Sequence, residues 1–217
     1  MQKTNWLLAL IITALTSIVS AAYEDKEASE NKASQNIEQS FYKVSPYDIV
    51  YGNDNASIEV LEYFSLTCSH CSYFYLSIFP ELKKKYIDTG KVKWIKRLYV
   101  GDRAAMDGSL LLNCVDKSMR KKYLNILLSK QSNWAFQQDP GAVLSNIASL
   151  GGISNKKFQD CMDDKKSGQG IKALTIKAVE NAKIMGTPTF YINKEKLNIF
   201  SDQAFKERFK EILSNKK

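Results

Sequence analysis

The chain has 217 residues, of which 44% are hydrophobic and 25% are charged, and its formal net charge is +8. This composition is close to that of ordinary globular proteins and argues against a chain that is disordered throughout. The positive charge comes mostly from scattered lysines, without a glycine-rich phosphate loop or an aromatic RNA-binding signature, so we expect no nucleic-acid partner.

Residues 1–22 have the pattern of a secretory signal peptide. Lys3 precedes an apolar run from Trp6 to Val19, and Ser20-Ala21-Ala22 offer small residues for cleavage. The run is shorter than the ~20 residues that a membrane-spanning helix usually needs, although an uncleaved segment would serve as an N-terminal membrane anchor. Residues 23–40 are polar, and we predict a flexible linker there. Export would place the four cysteines in an oxidising compartment, where disulfides are normal.

The first long strand that the sequence predicts is Ile58–Phe64, which is largely apolar on both faces, as is typical of a central strand. A helix is predicted from about Cys68 to Tyr86, with Thr67 as its N-cap and with a kink or restart at Pro80. Lys91–Val100 alternates between apolar and polar residues and predicts a second strand. A helical crossover between two parallel strands would make a βαβ unit.

From Arg103 to about Met185 the sequence favours helices throughout. The predicted helices are Ala104–Asp116, Ser118–Gln131, Ala142–Leu150, Lys156–Asp163 and Ile171–Ile184. Ser167-Gly168-Gln169-Gly170 is predicted to break the chain between the last two. The remaining predicted elements are a strand at Thr189–Asn193, a turn at residues 194–196, a strand at Leu197–Phe200 and a helix at Asp202–Leu213.

The motif Cys68-Ser69-His70-Cys71 stands where the first strand passes into the first helix. A thiol at a helix N-terminus is stabilised as a thiolate by the helix dipole and the free N–H groups. His70 is the only histidine of the chain and lies between the two cysteines, so we interpret it as functional. The alternatives are that Cys68 and Cys71 form half of a zinc site or a purely structural disulfide. A zinc site would need a second close pair of cysteines, which Cys114 and Cys161 do not form. A Cys68–Cys71 disulfide would close only a small ring, so it would remove little loop entropy from the unfolded chain and stabilise the fold little. We therefore favour dithiol redox chemistry, with no metal and no cofactor.

The order of the predicted elements and two sequence motifs together resemble those of one known family. V-L-E-Y-F-S-L-T-C-S-H-C at residues 60–71 is followed, after the helical stretch, by Gly186-Thr187-Pro188-Thr189-Phe190. The chain is similar to the DsbA family of thiol:disulfide oxidoreductases, which have a thioredoxin fold with an inserted all-helical domain. The resemblance implies an α/β fold of the type βαβ…ββα, with residues 41–102 and 186–217 as its halves and residues 103–185 as the insertion.

The resemblance also implies roles for the motif residues. Cys68, nearer the helix start, would be the nucleophile of a redox-active Cys68–Cys71 disulfide, and Cys71 would be the buried resolving thiol. Pro188 would be cis and would lie beside the cysteines, unless it is an ordinary turn proline. The Thr187 backbone would pair with an extended substrate, and Thr187 would tune thiolate stability and substrate release. Ser69 departs from the Pro-His dipeptide that is common in the family.

Two charged residues interrupt the apolar strands, Glu62 in the first and Lys96 in the second. If the strands are neighbours, the two could form a buried pair beneath Cys71, because an unpaired buried charge is costly. The resemblance implies an acid at Glu62 that assists proton transfer to or from the buried thiol. The alternative is that Lys96 extends to solvent from a strand end.

Cys114 and Cys161 both fall in the helical stretch. In an exported protein an even pair suggests a structural disulfide, and two buried free thiols are the alternative. Some DsbA-like proteins have such a second, non-catalytic bridge and others lack it. A bridge would close a loop of about 48 residues and contribute about 4 kcal/mol in the chain-entropy model.

A stabilised thiolate favours the reduced protein, so the disulfide form becomes a stronger oxidant. We therefore predict a monomeric periplasmic enzyme that introduces disulfides into reduced exported polypeptides. A membrane quinone oxidoreductase of the DsbB type would restore its own disulfide. The nearest alternative is a disulfide isomerase or a reductant in the same compartment. Another is a thioredoxin-fold binding protein or chaperone without redox turnover, although the two cysteines and His70 argue against it.

Overall fold

The structure, a computed structural model, describes residues 43–198 and 201–215. The strands of this part form one mixed sheet in the order β1-β3-β2-β4-β5. They are β1 (Ile49–Tyr51), β2 (Ile58–Phe64), β3 (Val92–Leu98), β4 (Thr189–Ile192) and β5 (Glu195–Leu197). β3 runs parallel to β2 and antiparallel to β1, and β4 is antiparallel to both β2 and β5. The predicted signal peptide and linker, residues 1–22 and 23–40, lie outside the described residues.

A helical run, residues 69–87, connects β2 to the parallel strand β3. It consists of α1 (Ser69–Tyr73), a π-helical turn (Phe74–Ile78), α2 (Phe79–Leu82) and a second π-helical turn (Lys83–Ile87). Pro80 has no backbone N–H and cannot continue a regular hydrogen-bond pattern. The turn before it is widened, and the Phe79 N–H donates to the Phe74 carbonyl, five residues back. The interruption at Pro80 agrees with the sequence prediction.

β4 and β5 form a hairpin with a shorter turn than predicted. The sequence analysis placed the turn at residues 194–196 and the strand at Leu197–Phe200, whose last two residues lie outside the described part of the chain. Instead, Asn193 and Lys194 have φ angles of 46° and 76°, and β5 already begins at Glu195. Positive φ at both central positions is typical of a type I′ two-residue hairpin turn, and Asn tolerates it better than most residues.

In the described chain six helices lie between β3 and β4, where the sequence predicted five. They are α3 (Arg103–Cys114), α4 (Arg120–Ser129), α5 (Gln131–Trp134), α6 (Pro140–Leu150), α7 (Asn155–Met162) and α8 (Lys165–Ala182). Four of these helices have an N-cap residue whose side chain accepts a hydrogen bond from the backbone N–H three residues later. These N-cap residues are Asp102, Asp139, Ser154 and Asp164. Within residues 43–198 and 201–215, none of the helices combines the length and apolar character that crossing a membrane requires.

The prediction that residues 167–170 break the helix was wrong. α8 contains this whole segment, and Asp164 caps its first turn by accepting from the Ser167 N–H at 3.0 Å. Gly170 provides space, because a Cβ at this position would lie 2.2 Å from the Tyr47 hydroxyl oxygen. The contact with Tyr47 therefore explains a glycine in the helix, despite its low helix propensity.

An aromatic core lies between one face of the sheet, the helical run 69–87 and the C-terminal helix α9 (Asp202–Ser214). Its central rings have centroids 4.7–6.3 Å apart and belong to Phe74, Phe79, Trp94, Phe190 and Phe205. Each of these residues is at most 3% exposed, and burying one such side chain stabilises the fold by roughly 1.5–3 kcal/mol. Because Phe74 lies in the same helical run as Cys71, this core fixes the helix that carries the cysteines.

Candidate active site

The two cysteines lie where β2 ends and the helical run 69–87 begins, and both are free thiols. Cys68 is the N-cap of α1, with φ of −83° and ψ of 117°, and it is half-buried, while Cys71 is 1% exposed. The sequence analysis assigned the cap to Thr67, which was wrong. The Thr67 hydroxyl instead donates to the Asp102 carboxylate at 2.7 Å. Cys68 therefore occupies the N-cap position, at the end of α1 where the N–H groups of the first turn lack partners within the helix.

The pKa of the Cys68 thiol is lowered from its ordinary value of 9.0 to about 5. The largest cause is a hydrogen bond between the Cys71 thiol and the Cys68 sulfur, which stabilises the thiolate. Burial opposes this effect, while the Thr187 side chain and the backbone N–H groups of Cys71 and His70 add to it. The His70 residue is exposed, and its backbone N–H lowers the pKa of Cys68.

Cys71 behaves in the opposite way. Burial raises the pKa of its thiol above the ordinary value, and the hydrogen bond to Cys68 and the negative charge there raise it further. The charge of Glu62 also raises this pKa, while the Ser65 backbone opposes the shift. At neutral pH the pair therefore consists of a thiolate at Cys68 and a neutral thiol at Cys71.

The loop before β4 lies beside the Cys68 thiol. The Thr187–Pro188 peptide bond is cis, and the Cys68 Sγ lies 3.1 Å from the Thr187 carbonyl oxygen, although the two residues are 119 positions apart. The Thr189 hydroxyl donates to the Gly186 carbonyl at 2.7 Å and closes this loop on itself. Thr187 and Pro188 remain half-exposed, so a peptide can reach the loop next to the sulfur.

Glu62 and Lys96 form a buried ion pair at paired positions of β2 and β3. The Lys96 Nζ donates to Glu62 Oε2 at 2.5 Å, and the Trp94 indole N–H donates to the same oxygen at 2.7 Å. The lysine side chain is 0% exposed, so the alternative that it extends to solvent is wrong. Burial lowers the pKa of Lys96, and Glu62 opposes that shift. The ammonium lies 4.3–5.8 Å from the ring centroids of Phe64, Phe74, Tyr75, Phe79 and Trp94.

The sequence analysis did not single out three polar residues that contact the turn around Cys68. They are Ser65, Asp102 and Gln131. Gln131 is 6% exposed, and its Nε2 donates to the carbonyls of Leu66 and Cys68 at 2.8 and 3.0 Å. No local pattern could have shown this contact, because Gln131 lies 63 positions beyond Cys68 and meets it only in the folded chain.

Cys114 and Cys161 are joined by a disulfide, so the structure does not show the alternative of two free thiols. Cys114 is the last residue of α3, and Cys161 lies in α7, 47 positions further along the chain. The bridge thus ties two helices of the segment between β3 and β4, apart from the Cys68–Cys71 pair at the end of β2.

Comparison with known proteins agrees with this geometry. A family model described as thioredoxin matches residues 44–214. The chain belongs to the thioredoxin family. A relative in Rickettsia felis, provisionally named protein-disulfide oxidoreductase, is 36% identical over 153 residues, which are 70% of this chain and 55% of the relative. A Bacillus anthracis relative, provisionally named disulfide bond formation protein D, is 24% identical over 230 residues, which cover 98% of this chain and 99% of that protein.

Within the thioredoxin family, the chain is a DsbA-like member. The crystal structure of alpha-DsbA1 from Wolbachia pipientis superposes with a TM-score of 0.72 and 28% identity, covering 79% of this chain and 93% of that one. The predicted fold class, a thioredoxin-like fold with inserted helices, is therefore confirmed. The chain spans little more than half the length of the curated Rickettsia relatives that it matches.

Proposed function

We propose that this chain oxidises pairs of thiols in exported polypeptides through a Cys68–Cys71 disulfide. The observation that carries the proposal is the asymmetry of the two thiols. The pKa of Cys68 is lowered to about 5, while burial raises the pKa of Cys71. The names of the relatives, protein-disulfide oxidoreductase and DsbA, support the same class of reaction.

The low pKa of Cys68 favours the oxidising direction. The thiolate exists only in the reduced protein, so its stabilisation makes the disulfide form the stronger oxidant. A thiol with a pKa of about 5 is stabilised at pH 7 by about 3 kcal/mol relative to an ordinary, protonated thiol. This corresponds to no more than about 60 mV, and screening by water at the half-buried Cys68 reduces it. The effect is complete above the ordinary pKa of 9.0, declines below it, and is lost as the pH falls through about 5.

In the proposed reaction a substrate thiolate attacks the Cys68 sulfur. The bond between Cys68 and Cys71 breaks, and Cys71 leaves as a thiolate that takes up a proton. A second substrate thiolate attacks the substrate sulfur of this mixed disulfide, and Cys68 leaves as a stabilised thiolate. Two electrons have then passed to the protein. By resemblance, we propose that a quinone-linked membrane partner of the DsbB type accepts them and that the reaction takes place in the periplasm.

We further propose that Glu62 exchanges the proton with Cys71. Its side chain is 1% exposed, and its charge acts on the Cys71 thiol. We expect Glu62→Gln to slow the steps that form or consume the Cys71 thiolate by tenfold or more, as loss of a general acid–base group does. Stopped-flow kinetics from about pH 5 to 8 measures this, and rates equal to the wild type over that whole range would exclude the role.

The loop beside Cys68 suits an extended polypeptide. Thr187 is half-exposed next to the sulfur, and its backbone could pair with a peptide strand. Met185, two residues earlier, is 96% exposed and offers an apolar, adaptable contact. This combination of backbone pairing and apolar contact favours unfolded chains of varied sequence as substrates.

The reduction potential measured against glutathione tests the proposed direction. We expect a value more oxidising than about −200 mV, whereas a value near that of thioredoxin, about −270 mV, would make the chain a reductant. Insulin reduction measured in parallel should be slow for an oxidase. Cys68→Ser is the control, since it removes exchange and leaves the Cys114–Cys161 bridge intact. Equal effects of the wild type and Cys68→Ser on refolding substrates would favour a binding protein or chaperone.

A further inference from the structure

A buried polar contact joins the helical part of the chain to the turn that carries Cys68. Gln131 opens α5 and is 6% exposed. Its Nε2 donates to the Leu66 carbonyl at 2.8 Å and to the Cys68 carbonyl at 3.0 Å. A side-chain amide nitrogen carries two hydrogens, so these bonds use its full donor capacity.

The two carbonyls belong to the peptide groups on either side of Thr67 and Cys68. Peptide groups are planar, so holding both restricts the four dihedral angles that lie between them. Those angles set the direction of the Cys68 Cα–Cβ bond, from which the sulfur extends in its χ1 rotamer. In the structure the sulfur lies 3.1 Å from the Thr187 carbonyl oxygen, and Cys68 is the N-cap residue of α1.

Other contacts hold the same turn from different directions. The Ser72 N–H donates to the Cys68 carbonyl at 3.1 Å from within the helical run, and the Thr67 hydroxyl bonds the Asp102 carboxylate at 2.7 Å. Gln131 differs from these contacts because its single side chain binds two carbonyls of the turn, those of Leu66 and Cys68. Its removal would release both restraints together and leave the carbonyl of the fully buried Leu66 without this donor.

We infer that Gln131 is a positioning residue, which holds the backbone around Cys68 so that the cysteine sulfur stays aligned with its hydrogen-bond donors. The inference rests on the proposed function, because it concerns the same thiol. Through Gln131 the helices inserted between β3 and β4 act on the chemistry of the thioredoxin-fold half.

A purely structural role for Gln131 would have a different consequence. If the side chain only anchors α5 to the rest of the protein, its loss lowers the free energy of unfolding but leaves the Cys68 thiolate as it was. The pH at which Cys68 becomes reactive therefore separates the two roles, because reactivity toward alkylating reagents follows the thiolate.

The test compares Gln131→Met with Asn113→Leu in the reduced full chain. Methionine keeps the length and most of the volume of glutamine but has no N–H donor. Asn113 is another amide of the helical part, and its Nδ2 donates to the Ser167 hydroxyl at 2.9 Å, away from the Cys68 turn. Each protein is alkylated with iodoacetamide at a series of pH values, and unfolding by urea is measured beside it.

We expect the alkylation midpoint of Gln131→Met to lie about one pH unit above the wild type, as when one hydrogen bond to a charged group is weakened. At pH 7 the equilibrium with glutathione should then shift about tenfold toward the disulfide form. Asn113→Leu should keep the wild-type midpoint at a comparable loss of stability. A wild-type midpoint in Gln131→Met, or equal shifts in both variants, would overturn the inference.

Should Gln131→Met not fold, Gln131→Asn gives the same comparison, because its amide is one methylene too short to reach both carbonyls. The alkylation midpoint does not depend on the direction of the redox reaction. A reducing potential with a shifted midpoint would thus refute the proposed function and leave the positioning role intact. An oxidising potential with an unshifted midpoint would support the proposed function and refute the positioning role of Gln131.

Discussion

The Cys71 thiol should control how acidic its neighbour Cys68 is. The hydrogen bond from Cys71 is the largest cause of the low pKa of Cys68, which is about 5. A hydrogen bond to a charged group contributes about 1.5–3 kcal/mol, which corresponds to about 1–2 pH units. Replacing Cys71 by alanine removes this donor, so we expect the Cys68 midpoint to rise to between about 6 and 7.

Iodoacetamide alkylation of Cys68 between about pH 3 and 9 measures this midpoint, with mass spectrometry to confirm the modified residue. Cys71→Ser is the matched control, because its hydroxyl differs from alanine by one hydrogen-bond donor at the same buried position. We expect its midpoint to lie closer to the wild type than that of Cys71→Ala. Identical midpoints for wild type, Cys71→Ala and Cys71→Ser would show that Cys71 contributes nothing, and the reasoning from the thiol pair would fail.

Two further predictions concern stability. Lys96→Met should lower the free energy of unfolding by about 3–5 kcal/mol, because it leaves the Glu62 carboxylate buried without its cation. Adding Glu62→Gln should restore more than half of that loss in urea unfolding, whereas strictly additive losses would show that the pair is uncoupled. In α8, Gly170→Ala should cost about 1–3 kcal/mol because its Cβ would overlap Tyr47. Gly168→Ala, which meets no atom closer than 4.0 Å, should be neutral or stabilise by up to about 1 kcal/mol; equal effects of the two would contradict this account.

Elements whose signals are local were predicted well from the sequence. The strand Ile58–Phe64 has the same bounds in the structure, because an apolar run on both faces suits a central strand. α8 was predicted too short because Gly168 and Gly170 disfavour a helix, while the contact with Tyr47 that compensates for Gly170 comes from a distant part of the chain. The hairpin turn was misplaced because the positive φ angle of Lys194 is unusual for a lysine.

The residues of the candidate site were likewise predicted where a motif marks them and missed where none does. The C-x-x-C motif and the motif around Pro188 are specific as a pair, and the family resemblance that they carry implied that Pro188 and Thr187 lie beside the cysteines, as the structure shows for Thr187 and Cys68. The contacts that hold the surrounding turn are made by single residues such as Gln131 and Asp102, which belong to no motif. A lone glutamine in a helical stretch looks like any surface residue until the fold shows that it is buried.

The contrast between the two thiols also bears on the fate of a mixed disulfide. Such an adduct at Cys68 can resolve in two ways, by attack of the second substrate thiol or by return attack of Cys71. The first releases the Cys68 thiolate, a good leaving group because its pKa is low. The second needs a thiolate at Cys71, which burial disfavours. In the proposed reaction, this contrast should favour a completed substrate disulfide over escape of the unchanged substrate.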